Sequence, residues 1–274
     1  MRVTMLSMPC DEPAPVLAAL LAAPGIEIVS LALAGIGSGG SRIERIAADA
    51  GIPGTGLASR RVVAEAILPD RPDAVVIACF PWRLSGEVLG LAPLGALNVH
   101  PSLLPMGRGP EPVFWTLRRG ERETGVTVHR MDAGLDTGPI VAQQAVPVPD
   151  GISAPELERD LMTLGGALLV EALPALAAGT LLARPQPEFG ATSAPNPTHA
   201  DWQMPVSLPA AWAWKFARGV ASFGGPLAVV TAGQAIPVRE ALAHDPVERP
   251  AERITHHDDG SFTVRFAPGW VRFR

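Results

Sequence analysis

The sequence predicts an α/β protein: a doubly wound, mostly parallel sheet over the first two thirds of the chain, then a small β-rich domain. Three observations carry this. Short apolar, β-branched runs alternate with helical patterns as far as residue 178. Those strands are apolar throughout, as in a sheet covered on both faces. A stretch with four prolines, ARPQPEFGATSAPNPTHADW (183–202), then separates them from a tail of short strands. The expected organisation is an α/β domain over 1–182, a linker over 183–202 and a small β-barrel domain over 203–274.

Taken in order, RVTMLSM (2–8) is a first buried strand, followed by an apolar helix around Ala14–Ala23 and a second strand, EIVSLALAG (27–35). RIERIAADAG places Ile43, Ile46 and Ala47 at helical spacing. A short helix near Arg61–Ile67 leads to the strand DAVVIACF (73–80), a helix near Ser85–Leu91 and the strand ALNVH (96–100). After the loop PSLLPMGRGPEP comes a helix carrying Val113, Trp115 and Leu117. The strands TGVTVHRM (124–131) and PIVAQQAVPV (139–148) flank the turn-rich DAGLDTG, and a helix over Ala154–Ala178 closes the unit. In the tail, a helix near Pro209–Val220 precedes PLAVVTA, AIPVREAL, SFTVRF and WVRFR, with a hairpin reversal at His257-Asp258-Asp259-Gly260.

Composition narrows the function. The chain has 274 residues, 47% hydrophobic and 18% charged, enough to bury a substantial core without disulfides or metals. Lys+Arg 22 against Asp+Glu 27 gives −5, whereas a dedicated nucleic-acid binder normally carries a basic excess. Two cysteines, Cys10 and Cys79, are too few for a disulfide framework and suit a reducing compartment. The longest apolar stretches are interrupted by Pro24, Glu27, Glu171 and Pro174, so no membrane span is expected and the reading is cytoplasmic. After the first strand, Met8-Pro9-Cys10-Asp11-Glu12-Pro13 offers two acids where a pyrophosphate needs a glycine turn with free N–H groups. IGSGGSR (36–42) has glycines at the wrong spacing and reads as a mobile loop. Dinucleotide and nucleoside-triphosphate binding are therefore not expected.

The chemistry gathers at two places. Asn98 and His100 stand two apart at the carboxyl end of the fourth expected strand, where open α/β sheets place ligands, and alternate residues of a strand face the same way. The same spacing also describes a strand-end Asn beside a His satisfied by a carbonyl. Asp136-Thr137-Gly138 lies in a second glycine-rich loop. An Asp there can reach His100, fix its tautomer and raise its pKa. A carboxylate-held His beside an amide donor suits acyl chemistry: the His moves protons and the amide stabilises an oxyanion. Ser102 has no G-x-S-x-G around it, so direct transfer to an external amine fits better than a covalent intermediate. An aspartic-protease reading of Asp-Thr-Gly needs two such aspartates and an all-β fold. His256-His257 fits an exposed hairpin better than a metal site, and His129 fits packing within its strand.

LNVHPSLLPMGRG (97–109) with ETGVTVHRMDAGLDTGPIVAQ (123–143) resembles the formyltetrahydrofolate-dependent N-formyltransferases, a family that includes methionyl-tRNA and sugar N-formyltransferases. The matching residues are Asn98, His100, Ser102-Leu103-Leu104-Pro105, Arg108-Gly109 and Asp136. The resemblance implies a Rossmann-like formyltransferase domain with a small C-terminal OB-like β-barrel, and 10-formyltetrahydrofolate as co-substrate with no metal. It implies that His100 takes a proton from the amine and passes one to the folate N10 as it leaves. Asn98 would stabilise the oxyanion, and Asp136 would orient His100. The pterin end of the folate would lie on two loops, Trp82-Arg83-Leu84 and Asp132-Ala133-Gly134-Leu135; core packing explains Trp82 equally well.

Two departures bear on the acceptor. After Arg108-Gly109 the family is small and neutral, where this chain has Pro110-Glu111-Pro112. The last 74 residues hold eight basic and seven acidic side chains, the first 200 fourteen and twenty. A tRNA-binding barrel needs several phosphate contacts on a basic face. The expected acceptor is thus the primary amine of a small molecule, an amino sugar nucleotide or an amino acid derivative. Methionyl-tRNA is the alternative; hydrolysis of formyltetrahydrofolate and folate binding without catalysis come behind it. A homodimer is compatible with the sequence.

Overall fold

The computed structural model describes residues 1–35, 39–231 and 233–274. Residues 36–38 of the expected IGSGGSR loop and Ala232 of the expected PLAVVTA strand lie outside them. The chain divides into two compact units: the first comprises 1–112, 124–146 and 158–194, the second 113–123, 147–157 and 195–274.

The first unit is built on one sheet. β1 (Arg2–Ser7), α1 (Ala14–Ala22), β2 (Glu27–Ala34), α2 (Arg42–Asp49) and β3 (Gly54–Leu57) form its first half. α3 (Val63–Ile67), β4 (Ala74–Ile77), α4 (Gly86–Leu89) and β5 (Ala96–His100) follow. α5 (Pro112–Arg119), β6 (Glu123–Arg130), β7 (Ile140–Pro147) and α6 (Ala154–Ala177) come next in the chain. The strand order is β3-β2-β1-β4-β5-β6-β7. The first five strands pair in parallel and β5–β6 is antiparallel, as a mostly parallel sheet requires. The chain runs outward from β1 to β3, returns at β4 and continues the other way. Its topological switch therefore lies between β1 and β4, the end of the sheet where such folds bind ligands.

Local chemistry explains most boundaries. α2 starts at a capping box in which Ser41 and Glu44 satisfy one another's backbone N–H groups. β4 is buried at all four positions, and Leu6, Val75, Ile77, Val63, Ile67 and Val88 form one core cluster, covering one face of the sheet with α3 and α4. α6 covers the other face at close range. Within it, a Cβ on Gly165 would sit 2.4 Å from a methyl of Val99 on β5. Only glycine lets the helix axis approach the strand that carries the site. α6 is 24 residues long and contains an 18-residue stretch of mean hydropathy 1.4, long and apolar enough to cross a membrane. In this fold those apolar residues are core: Leu157, Leu161, Met162, Leu169 and Leu173 are all buried.

The second unit centres on Phe114, fully buried, with Trp115, Trp202, Phe216 and Phe223 ringed around it at 4.9–6.0 Å. It carries β8 (Gln203–Pro205), α7 (Ala210–Val220), β9 (Ala228–Thr231), β10 (Gln234–Pro237) and β11 (Ala241–Asp245). β12 (Ile254–His256), β13 (Phe262–Arg265) and β14 (Trp270–Phe273) complete it. These seven strands form a three-stranded sheet, β10-β9-β8, and an antiparallel four-stranded one, β11-β14-β13-β12, the OB-like element expected. The hairpin at 257–260 is present, closed by His257 N–H on the Ser261 carbonyl. AIPVREAL divides into two strands that belong to different sheets. β3, β8 and β12 carry no expectation from the sequence: β3 reads Gly-Thr-Gly-Leu, and it is extended because it completes the sheet edge against Leu31–Ala34.

Candidate active site

Three elements of the first unit bring the site together. β5 ends at His100 and places Asn98 on the same side, as expected. β6 lies antiparallel to it, pairing Asn98 with His129 and His100 with Thr127. The turn between β6 and β7 supplies Asp136. His100, His129 and Asp136 are all buried, at 5%, 1% and 9% exposure.

Asp136 sits between two imidazoles. Its Oδ2 lies 3.9 Å from His100 Nδ1 and its Oδ1 3.6 Å from His129 Nε2. The Gly109 N–H donates to Oδ2 at 2.8 Å. Burial alone would push this carboxyl up, but His100, His129 and the Gly109 amide together outweigh it and hold it at about 2. Asp136 is ionised throughout the neutral range. His100 Nε2 donates to the Gly107 carbonyl at 2.8 Å, so both ring nitrogens face acceptors. The sequence leads to an elevated His100 pKa; the structure corrects this. Burial lowers it and wins over the upward pull of Asp136 and the Gly107 carbonyl, so neutral imidazole is favoured at neutral pH. That suits a group that must accept a proton.

His129 is the member of this polar cluster that the sequence does not announce. Its strand reads as buried packing, yet the Asn98 amide nitrogen lies 3.2 Å from its Nε2. The same nitrogen faces Asp136, and Nδ1 is buried without a hydrogen-bond partner. Asn98, His129, Asp136 and His100 therefore form one polar chain. The only clue available from sequence is register: in an antiparallel pair, whatever opposes Asn98 shares its face.

The loops around the chain are fixed by side-chain bonds. Thr127 donates to the Ser102 carbonyl and accepts from the Leu104 N–H, while Gln143 donates to Thr127 and to the Leu104 carbonyl. This sets the path of Ser102-Leu103-Leu104 immediately after His100. In the second loop, Asp132 accepts from Gly134 N–H at 2.9 Å and from Thr137 hydroxyl at 2.7 Å. A Cβ on Gly138 would fall 1.8 Å from the Arg130 carbonyl, so the turn closes only with glycine there.

The two loops expected to hold a pterin are neighbours. The Arg83 guanidinium donates to the Ala133 carbonyl, joining Trp82-Arg83-Leu84 to Asp132-Ala133-Gly134-Leu135. Trp82 is half-buried, edge-on to Phe80 at 5.4 Å and packed with Leu84 and Met131 against the core cluster. Leu135 is 49% exposed. Trp82 thus packs against the core, while Arg83, Asp132, Ala133 and Leu135 are exposed.

Comparison with known proteins agrees with this geometry. Residues 55–173 match the formyl transferase family. A methionyl-tRNA formyltransferase from Roseiflexus sp. (strain RS-1) is 42% identical over 140 residues, 50% of this chain and 43% of that protein. One from Anaeromyxobacter dehalogenans is 40% identical over 180 residues, 66% of this chain and 57% of that one. The chain spans about half the length of the curated relatives it matches. An N-formyltransferase from Helicobacter canadensis, solved with folinic acid and dTDP-3-aminofucose, shares the fold at 14% identity. Its TM-score is 0.71, over 99% of this chain and 97% of that one. The matched segment spans β3 to α6 and encloses Asn98, His100 and Asp136, so over the part that carries the site the chain is similar to the formyl transferase family.

Proposed function

We propose that the protein transfers the formyl group of 10-formyltetrahydrofolate to the primary amine of a small molecule. The observation that carries this reading is the buried chain Asn98–His129–Asp136–His100 at the carboxyl end of β5, next to the topological switch. The donor fits the joined loops 82–84 and 132–135, which offer exposed backbone and Leu135 to a flat heterocycle. It supplies the formyl carbon. Asn98 donates its amide to the oxygen of that carbon as it becomes tetrahedral. His100, neutral before attack, takes the proton the amine loses as its nitrogen–carbon bond forms, and returns one to N10 of the donor as that bond breaks. Asp136, ionised, stabilises the imidazolium between the two steps.

Charge supports a small acceptor. Glu111, two residues after the Gly109 that binds Asp136, has its carboxyl pushed up by burial. Glu158 is pushed to about 7 by burial, then by Glu12 and Glu111. Carboxyls gathered this close to Gly109 disfavour a long polyanion there more than they disfavour a small molecule. The tRNA reading draws its support from the curated relatives' names. One assay separates the two. The purified protein and donor are offered methionyl-tRNA, amino sugar nucleotides and amino acid derivatives, with products read by mass. A small amine should gain one formyl group at a rate insensitive to salt. Formylation confined to tRNA, with a steep loss on adding salt, rejects the small-acceptor reading; release of formate without any amine rejects transfer.

A further inference from the structure

The backbone of Asp136 is strained. Its φ is 53°, in the left-handed region that side chains with a Cβ seldom adopt, and such a conformation lasts only when its surroundings impose it. The carboxylate is held by the Gly109 amide. The peptide itself is held by Gln186, from the Pro-rich stretch after α6. The Gln186 amide nitrogen donates to the Asp136 carbonyl at 2.8 Å and to the Gly138 carbonyl at 2.7 Å, one on each side of Thr137. Its oxygen accepts from Arg108 Nε at 3.1 Å and Nη2 at 2.9 Å. Arg108 is the residue before Gly109, so the contacts close a ring: carboxylate to Gly109, Arg108 guanidinium to Gln186, Gln186 back to the Asp136 peptide.

The segment carrying Gln186 is itself anchored in the first unit. Arg184 bridges Ile140 at the start of β7, and Ser193 bridges Arg108. Arg108 also pairs with Glu188 at 3.4 Å. Both ends of the Gln186 side chain are used, and glutamine is the side chain of this length with two N–H donors and an acceptor in one plane. Glutamate would turn acceptors toward two carbonyls, and leucine has neither group.

We propose that Gln186 is a positioning residue for the transfer, clamping the strained Asp136 turn to Arg108 so that the carboxylate stays aimed at His100. Its consequence for turnover rests on the function proposed above; its effect on His100 does not. The ionisable groups facing His100 are Asp136 and His129. The test follows the His100 imidazole by NMR titration in protein free of donor, with kcat and KM measured alongside, in Gln186→Leu, Gln186→Glu and Asp136→Asn. Gln186→Leu should move the His100 midpoint to lower pH, as Asp136→Asn does. It should lower kcat by about 10²-fold, the scale of a small misplacement of a reacting group, with donor KM unchanged within about threefold. In the Asp136→Asn background Gln186→Leu should add little, because the group it positions is gone. If Gln186→Leu does not fold, Gln186→Glu keeps the Arg108 contact, loses both donors, and must shift the same midpoint. A His100 midpoint that stays at its wild-type value in a folded Gln186 variant overturns the proposal. So do losses of kcat that simply multiply in the double variant. If no amine is formylated by any form, the shifted midpoint still supports the positioning role and only the function falls.

Discussion

At the scale of single residues, His100 is poised by two opposed effects: burial favours its neutral form, while Asp136 and the Gly107 carbonyl favour the charged one. Removing the Asp136 charge leaves burial less opposed. Asp136→Asn should therefore move the acid limb of the kcat/KM profile to lower pH; an unmoved limb would show that the two groups are uncoupled. The same residue makes a stability prediction. Its folded value of about 2 lies below the usual carboxylate value of 3.8, so the stability it contributes is full above that usual value and is lost as pH falls through about 2. Acid unfolding followed by circular dichroism should show wild type losing stability faster than Asp136→Asn across that window. Asn98, His100 and Asp136 were legible because, beyond a spacing that packing explains as well, they sit inside long gapped stretches, 97–109 and 123–143, that resemble a known family. His129 was not, because a His among Val and Thr in TGVTVHRM looks like packing until the strand opposite it is known. Gln186 was still less so: a Gln between prolines has no periodicity, and its role exists only through the loops it joins.

At the scale of elements, the strands and helices with strong patterns were readable: β5 runs over the expected residues, and α6 falls one residue short of its expected end. The elements that were not readable are short edge strands whose conformation comes from their partners. β3 carries two glycines and little β propensity, and β12 is three residues paired to β13. α6 also bears the most perturbed acid of the first unit, Glu158, whose carboxyl is raised to about 7 by burial, Glu12 and Glu111. A raised acid binds its proton more tightly in the folded state. The stability it contributes is present below its usual value of 4.5 and is lost as pH rises through about 7. Glu158→Gln should thus be more thermostable than wild type at pH 8, with the gap closing towards pH 4. Parallel melting curves across that range, with no narrowing, would show that Glu158 ionises freely.

At the scale of the whole molecule, a doubly wound sheet delivers four polar side chains to one place without a metal cluster: among the described residues no group of three His, Cys, Asp or Glu could hold an ion. The fold class and the order of its strands were legible because buried parallel strands leave uninterrupted apolar runs between helices. How residues sort into the two units was less so, since α5 and the start of α6 adjoin the first unit in sequence but cluster with the second. Part of the net charge of −5 is gathered in one place, where Glu12 and Glu111 act on Glu158.

The central claim is that His100 moves the proton in a formyl transfer. The direct measurement uses 10-formyltetrahydrofolate labelled at the formyl carbon, with wild type and His100→Ala, following label into the amine product and donor binding by calorimetry. The account predicts labelled amine from wild type, a loss of roughly 10²–10⁴-fold in the variant, and donor affinity unchanged between them. Turnover by His100→Ala within a few-fold of wild type, or label appearing as free formate in place of the amine product, would contradict it.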